Sequence, residues 1–410
     1  MESCKKRWTR RTLLTNGIVA VLMSAPLVYA VTATEAPAGF DNLTNGFEAQ
    51  AQMDLDRAKF DEFETIADGL GPVYNAQSCR ECHQNPVSGA TSQITELRVG
   101  RFDGFTFTDR PGGSLINDRA IDASIQERVA GADNVTALRS SLNILGDAFV
   151  EALPDTFFTN TQAGQPSGMK GQIINVPVAE SPGNTRIGRF GWKNQQASLL
   201  SFAADAYLNE MGITSPLQPT ENTSNGASVA AFDHVADPED AATAQDPQGT
   251  DVNAFTRFMR STKVPPRDTV LANTSDAIAG ASLFHSIGCD ICHVSTAQTV
   301  TAGTVINGGK YTVPAAIGDK IFHPYSDFML HDVGTGDGIV QNGGQSTRTK
   351  MCTPPLWCLR TRARMSQDDL DFTRNNAILF PAGEANGVIK NYINLSVTQQ
   401  NQLITFLNSL

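Results

Sequence analysis

Cys79-Arg80-Glu81-Cys82-His83 and, later in the chain, Cys289-Asp290-Ile291-Cys292-His293 decide how the rest of the sequence is read. A C-x-x-C-H run is the attachment signature of c-type haem: the two thiols form thioethers with the porphyrin vinyls, and the adjacent His ligates iron. Two residues between the cysteines place both sulfurs at one porphyrin edge, and the following His is carried under the ring. The competing reading of paired C-x-x-C units is a Cys₄ zinc ribbon. Ribbon pairs stand about 15–20 residues apart, whereas these are separated by about half the chain and each brings its own His. Two covalent haem c groups are therefore expected, attached at Cys79, Cys82, Cys289 and Cys292, with His83 and His293 as iron ligands.

Around the motifs the composition is that of a globular chain, with 40% hydrophobic and 18% charged residues in 410. That length exceeds one ordinary domain and suffices for two cores. Residues 1–30 stand apart. Lys5, Lys6, Arg7, Arg10 and Arg11 form a positive region, Leu13 to Val28 is largely apolar, and Val28-Tyr29-Ala30 is a small-residue cleavage site. These features predict a signal peptide, a mature chain starting near Val31, and a periplasmic protein with no membrane attachment beyond that peptide. The competing reading is a retained anchor, for which the apolar run is short of the ~20 residues a span needs. Removing residues 1–30 takes away five positive charges and one negative, so the formal net charge moves from −11 to −15. An acidic surface argues against nucleic acid as a partner and suits a small basic redox protein.

The region from Phe47 to Phe63 carries apolar residues at helical spacing (Phe47, Met53, Leu55, Phe60, Phe63), and Gly69-Leu70-Gly71-Pro72 breaks it just before the first motif. Residues 84–135 read as irregular, with basic side chains at Arg98, Arg101, Arg110 and Arg119. Within the apolar run Ser141 to Pro154, Asp147 and Glu151 are either helix-face residues or buried acids with raised pKa values. Ala197 to Met211 has a helical pattern. Residues 215–252 are poor in apolar side chains and read as a loop insertion, in which His234 is a surface residue. Val264-Pro265-Pro266-Arg267 is a stiff break where a domain boundary is placed. Ala277 to Ile287 then repeats the order of helix followed by motif. His323, Met329 and His331 are each either a second axial ligand or a packed core residue, and Val397 to Leu410 closes the chain as a helix.

The chain resembles the bacterial di-haem oxidoreductases of the peroxidase and thiol oxidoreductase-like kind, distantly similar to di-haem cytochrome c peroxidases. The resemblance is carried by Asp68-Gly69-Leu70-Gly71-Pro72, Gly188-Arg189-Phe190-Gly191-Trp192-Lys193, Met211-Gly212-Ile213-Thr214 and Pro265-Pro266-Arg267. It continues in His323-Pro324-Tyr325-Ser326-Asp327, Leu330-His331-Asp332-Val333-Gly334-Thr335-Gly336, Thr353-Pro354-Pro355-Leu356-Trp357 and Gly383-Glu384-Ala385. It implies a mainly α fold of two cytochrome c-type domains with long irregular loops, residues 31–264 and 265–410. It implies electron entry at the second haem and peroxide reduction at the first, which has no His where related peroxidases place a distal ligand. Glu151 takes the family's acidic position as acid/base, and Trp192 either lies between the haems or packs the interface. A small redox protein or a quinol-linked donor would supply electrons, peroxide or another small oxidant would accept them, and calcium accompanies the family without a specific motif here.

Two departures bear on function. Where relatives carry Leu-Met-His-Asp-Gly this chain reads Met365-Ser366-Gln367-Asp368-Asp369, and a His-x-Gly-Glu-Ala segment reads Pro381-Ala382-Gly383-Glu384-Ala385. Met365 and His331 are then the remaining ligand candidates for the second iron. Cys352 and Cys358, unusual at these positions, are either a disulfide or two buried thiols. The alternatives to a peroxidase are a di-haem electron carrier and an oxidant of a protein or thiol substrate.

Overall fold

Two crossed helix pairs carry the two motifs. In the first pair, helix Gln50–Phe60 packs on helix Thr250–Ser261; in the second, Ser275–Ser286 packs on Val397–Asn408. The structure, a computed structural model, describes residues 32–362 and 374–410. Each pair is centred on two phenylalanines, Phe60 against Phe258 with ring centroids 4.7 Å apart and Phe284 against Phe406 at 5.3 Å. Four residues before each of the leading phenylalanines the two crossings differ. Asp56 is buried and paired to Arg257 by bonds of 2.9 and 3.0 Å, whereas Gly280 lets the backbones touch, since a Cβ there would drive into the carbonyl oxygen of Gln402. Both helices of the second pair have side-chain caps: Thr274 accepts from the Ala277 amide, and Ser396 forms a capping box with Gln399.

The apolar face expected over residues 47–63 is narrower than its sequence pattern. Met53 and Phe60, seven apart, share the buried face, while Leu55 (65% exposed) and Phe63 (59%) point to solvent. The mainly α expectation needs a larger correction, because the fold mixes helices with fifteen short strands among the described residues. The segment read as irregular holds a four-stranded antiparallel sheet. Thr95–Phe102 pairs with Phe107–Thr108, Leu115–Ile116 and Val135–Ser140, in a register that sets Leu97 opposite Leu138. Asp103-Gly104 and Gly112-Gly113 mark turns between its strands, which the sequence shows, whereas the short alternating runs between them leave little signal.

Residues Ala33–Leu410 form one compact unit. A large apolar cluster runs from Ala36 to Cys358 and includes Phe149, Phe158, Phe258 and Phe322. A smaller one gathers Phe284, Tyr325, Tyr392, Leu403 and Phe406 around the second helix pair. Residues 215–249 contain no helix or strand, and His234 is exposed. Thr214 Oγ1 holds this loop by donating to Asp237 and Glu239, and Asp240 accepts the amides of Asp251 and Val252 at the start of the helix it leads into. In the same loop Glu221, Asp237 and Glu239 each bring a carboxylate oxygen within 4.8 Å of the others. The thiols of Cys352 and Cys358 are both free and buried, so the disulfide alternative is not adopted. No described helix is long and apolar enough to cross a membrane.

Replacing Gly280 by Ala is expected to spread the second helix pair and lower stability by roughly 1–3 kcal/mol. A shift in urea midpoint measures it, and an unchanged midpoint would show that the crossing adjusts freely.

Candidate functional site

The two C-x-x-C-H motifs are built alike. Ser78 caps the single helical turn Cys79–Cys82 by accepting from the Arg80 amide (3.2 Å), and His83 follows as the chain leaves the helix. Its Nδ1 lies 3.1 Å from the Ala90 carbonyl oxygen, and its ring stands 6.3 Å from Phe60 at an interplanar angle of 53°. At the second motif His293 Nδ1 lies 2.9 Å from the Tyr325 oxygen, with the ring 6.4 Å from Phe284 at 54°. A carbonyl can only accept, so Nδ1 carries the proton in both rings and Nε2 is left as the metal-binding nitrogen. Burial pushes both imidazoles below the usual histidine range, which keeps them in the neutral, ligating form.

All four motif thiols are unpaired. Burial pushes Cys82 and Cys289 up to about 12, so they are held as thiols rather than thiolates. Among the described residues no metal-binding cluster joins the two pairs as a Cys₄ zinc site requires. Cys289, Cys292 and His293 open together into a cavity of about 780 Å³, within the ~300–1,000 Å³ typical of cofactor pockets. The residues present therefore fit a haem at the second motif, and the imidazole arrangement recurs at the first.

His331 lies on the wall of that cavity, but not as a free ligand. Its Nε2 is 2.8 Å from Asp327 Oδ2 and its Nδ1 is 2.7 Å from Glu384 Oε2. Two carboxylate acceptors require protons on both nitrogens. Burial works against the charged ring, yet Asp327 and Cys292 outweigh it and push His331 up to about 11. The expected iron ligand is thus a clamped imidazolium with no lone pair to offer. Met365, the other candidate, lies outside the described residues. Asp327 and Glu384 were given no role by sequence reasoning, although both sit in the segments His323–Asp327 and Gly383–Ala385 that carry the resemblance. Gln165 joins this group to the second motif, with Nε2 donating to Asp327 (2.7 Å) and to the Ile291 carbonyl (2.9 Å).

Trp192 also lines the cavity. Its indole N–H donates to the Ser140 carbonyl (2.8 Å), and two residues further on the Leu142 backbone lies against His83. The neighbouring Lys193 is fully buried, with Nζ donating to the carbonyls of Thr347, Arg348 and Lys350 at 3.0, 3.2 and 2.6 Å and paired to Asp337 at 2.9 Å. Asp337 also holds Arg139 at 2.6 Å. Of the early arginines, Arg98 is taken up by Glu96 and Arg119 by Glu81.

Glu151, expected to act as acid/base, is instead a buried structural anion. It accepts from Arg260 Nε and Nη2 (both 2.8 Å), from the Leu199 amide (3.0 Å) and from Asn307 (2.9 Å). Burial favours its neutral form, but the Arg260 guanidinium more than offsets this and holds the carboxyl below its usual range. A group so strongly ionised and saturated with donors is poorly matched to proton exchange near neutral pH. The raised acid in this run is Asp147, pushed up by burial and by the Glu151 charge. Glu151→Gln should cost about 3–5 kcal/mol by leaving Arg260 unpaired. Because the folded pKa is depressed, the contribution of Glu151 is present above its unfolded pKa near ~4.3 and is lost as pH falls through the folded value. Denaturant titrations of both proteins down into the acid range should therefore converge, and parallel curves would refute the ion-pair account.

Comparison with known proteins completes the picture. Residues 117–410 match the family described as "Di-haem oxidoreductase, putative peroxidase". No curated protein matches the chain. Among solved structures, Kuenenia stuttgartiensis hydrazine synthase is similar at 12% identity over 98% of this chain and 100% of that one, with a TM-score of 0.40. A MauG-like protein associated with microbial copper homeostasis is similar at 14% identity over 93% and 94%, also with a TM-score of 0.40. The family match spans well over half of the sequence and coincides with the second C-x-x-C-H motif, its cavity and the His331 clamp, and so the chain belongs to the di-haem oxidoreductases.

Proposed function

We infer that this is an exported c-type di-haem oxidoreductase that reduces peroxide, with electrons entering at the second motif and peroxide meeting the first. The observation that carries the reading is the duplicated arrangement: unpaired thiols, a carbonyl-fixed imidazole and a flanking phenylalanine, twice, with the second set opening into a cofactor-sized cavity. Thioether attachment would fall at Cys79 and Cys82 and at Cys289 and Cys292, with His83 and His293 as proximal ligands. Haem, when bound, would supply a one-electron centre and a Lewis-acidic iron able to react with peroxide.

The protein's own contribution is positional. The Ala90 and Tyr325 carbonyls fix each ring through Nδ1, so that Nε2 would be the nitrogen that holds the iron. Trp192, tied at its edge to Ser140, forms the cavity wall on the side of the strand that leads toward His83, and this supports its assignment to the path between the haems. A small redox protein is the fitting electron donor for so acidic a chain, and the segments 31–264 and 265–410 each contribute one motif to the single compact unit.

Purified protein is expected to show two c-type haems by pyridine haemochrome assay and a mass that places the mature N-terminus near Val31. EPR should reveal a high-spin iron that is perturbed by hydrogen peroxide. Two low-spin haems inert to peroxide would make the protein an electron carrier instead. Trp192→Phe should keep both haems and slow electron redistribution between them in stopped-flow reduction; an unchanged rate would return Trp192 to a packing role.

A further inference from the structure

The loop of residues 215–249 collects negative charge without a cation of its own. From Pro216 to Gly249 the sequence has six acids, Glu221, Asp233, Asp237, Glu239, Asp240 and Asp246, and neither Lys nor Arg. Two are accounted for by their neighbours. Asp246 pairs with Arg257 at 2.7 Å, and Asp240 accepts the amides of Asp251 and Val252 at the start of the next helix. Glu221, Asp237 and Glu239 instead converge, each bringing one carboxylate oxygen within 4.8 Å of the other two.

Acids standing together in water are ordinary, but Glu221 is not in water. Both of its carboxylate oxygens are sealed from solvent, and neither has a hydrogen-bond partner. No protonation state satisfies it: the ionised group lacks donors, and the protonated group lacks an acceptor for its proton. Its two neighbours share a single hydroxyl, since Thr214 Oγ1 faces Asp237 Oδ1 at 3.0 Å and Glu239 Oε2 at 2.9 Å with one proton to give. Burial, then the charges of Glu239, Asp233 and Asp237, push Glu221 up to about 9, and burial pushes Glu239 up to about 7.

The three acids also come from two arms of the loop that are anchored separately. On the first arm Asn222 donates to the Leu208 carbonyl (2.7 Å) and Ser224 to the Ile125 carbonyl (2.6 Å). On the second, the Thr214 amide donates to Glu239, whose side chain lies over Gly69, where a Cβ would stand 2.8 Å from the Glu239 Cβ. The Glu221 side chain makes no hydrogen bond from the first arm to the second.

We propose that Glu221, Asp237 and Glu239 bind one calcium-class divalent cation, which staples the two arms of this loop together beside the turn at Gly69. Calcium takes oxygen ligands at about 2.3–2.6 Å, so two oxygens on opposite sides of one ion stand up to roughly 5 Å apart, in keeping with the spacing of these three. Magnesium keeps several of its waters, which suits poorly a ligand closed to solvent. All three acids lie outside the segments that carry the family resemblance, and the site does not rest on the haem chemistry.

The test uses the mature haem-loaded protein, stripped with EGTA and desalted, then titrated with CaCl₂ by calorimetry and melted with and without the ion. Calcium is expected to raise the melting temperature and to protect residues 215–249 from limited proteolysis, and MgCl₂ at the same concentration to do so less. Glu221→Gln and Asp237→Asn should each bind one calcium fewer than the wild type. Without calcium, Glu221→Gln should melt no lower than the wild type, because it removes a buried charge from among like charges, so its lost response is not a failure to fold. A wild type indifferent to calcium, or a Glu221→Gln protein with full calcium stoichiometry, overturns the proposal. So does a calcium-free Glu221→Gln protein that melts below the wild type, since Glu221 would then be held by the protein itself. An equal response to magnesium overturns the assignment to calcium. None of these readouts depends on peroxide turnover.

Discussion

A carbonyl oxygen set against the Nδ1 of an imidazole is the constraint on which both motifs depend, and the chain meets it in two ways. For His83 the carbonyl belongs to Ala90, seven residues on, so the loop closes locally. For His293 it belongs to Tyr325, and the chain must travel thirty-two residues and return before that ring is oriented. The return is secured by packing: the Tyr325 ring meets Phe284 at 5.9 Å and Phe406 at 5.8 Å, so the helix pair behind the motif also places the acceptor in front of it. Orientation at the first motif is a property of a short segment, whereas at the second it is a property of the folded core.

Several of the most deeply buried charges among the described residues are held in pairs. Glu151 has Arg260, Asp337 has both Lys193 and Arg139, and His331 has Asp327 and Glu384. Each removal of one partner would leave an uncompensated ion in a poorly polarisable setting, which is costlier than never having built the pair. The charges therefore hold together segments far apart in sequence, where apolar contacts alone would not fix register.

The motifs were legible because covalent attachment imposes a fixed spacing and residue type, and the principal helices because their apolar periodicity is long. The sheet around Thr95–Phe102 was not, since strands of two to eight residues leave little periodicity to detect. The surroundings of Glu151 and His331 were hidden from the sequence for a shared reason. Both were chosen for their residue type and family position, and each is held by partners that lie apart from it in the chain, Arg260 for Glu151 and, besides the nearby Asp327, Glu384 for His331. Sequence spacing names the acid or the imidazole but carries no information on who neutralises it. Glu221, Asp237 and Glu239 escaped notice for the same reason, as none belongs to a recognisable pattern.

The oxygen cage around Lys193 has a consequence for how this protein meets its surroundings. Three backbone carbonyls and a carboxylate converging on one positive centre are the kind of oxygen shell that proteins commonly use to hold a dissolved ion. Here the centre is an ammonium tethered by its own side chain, so it cannot be diluted away, chelated or exchanged. The turn from Thr347 to Lys350, and with it the strand that presents Cys352 behind Trp192, is thus tied down by a cation that belongs to the chain itself.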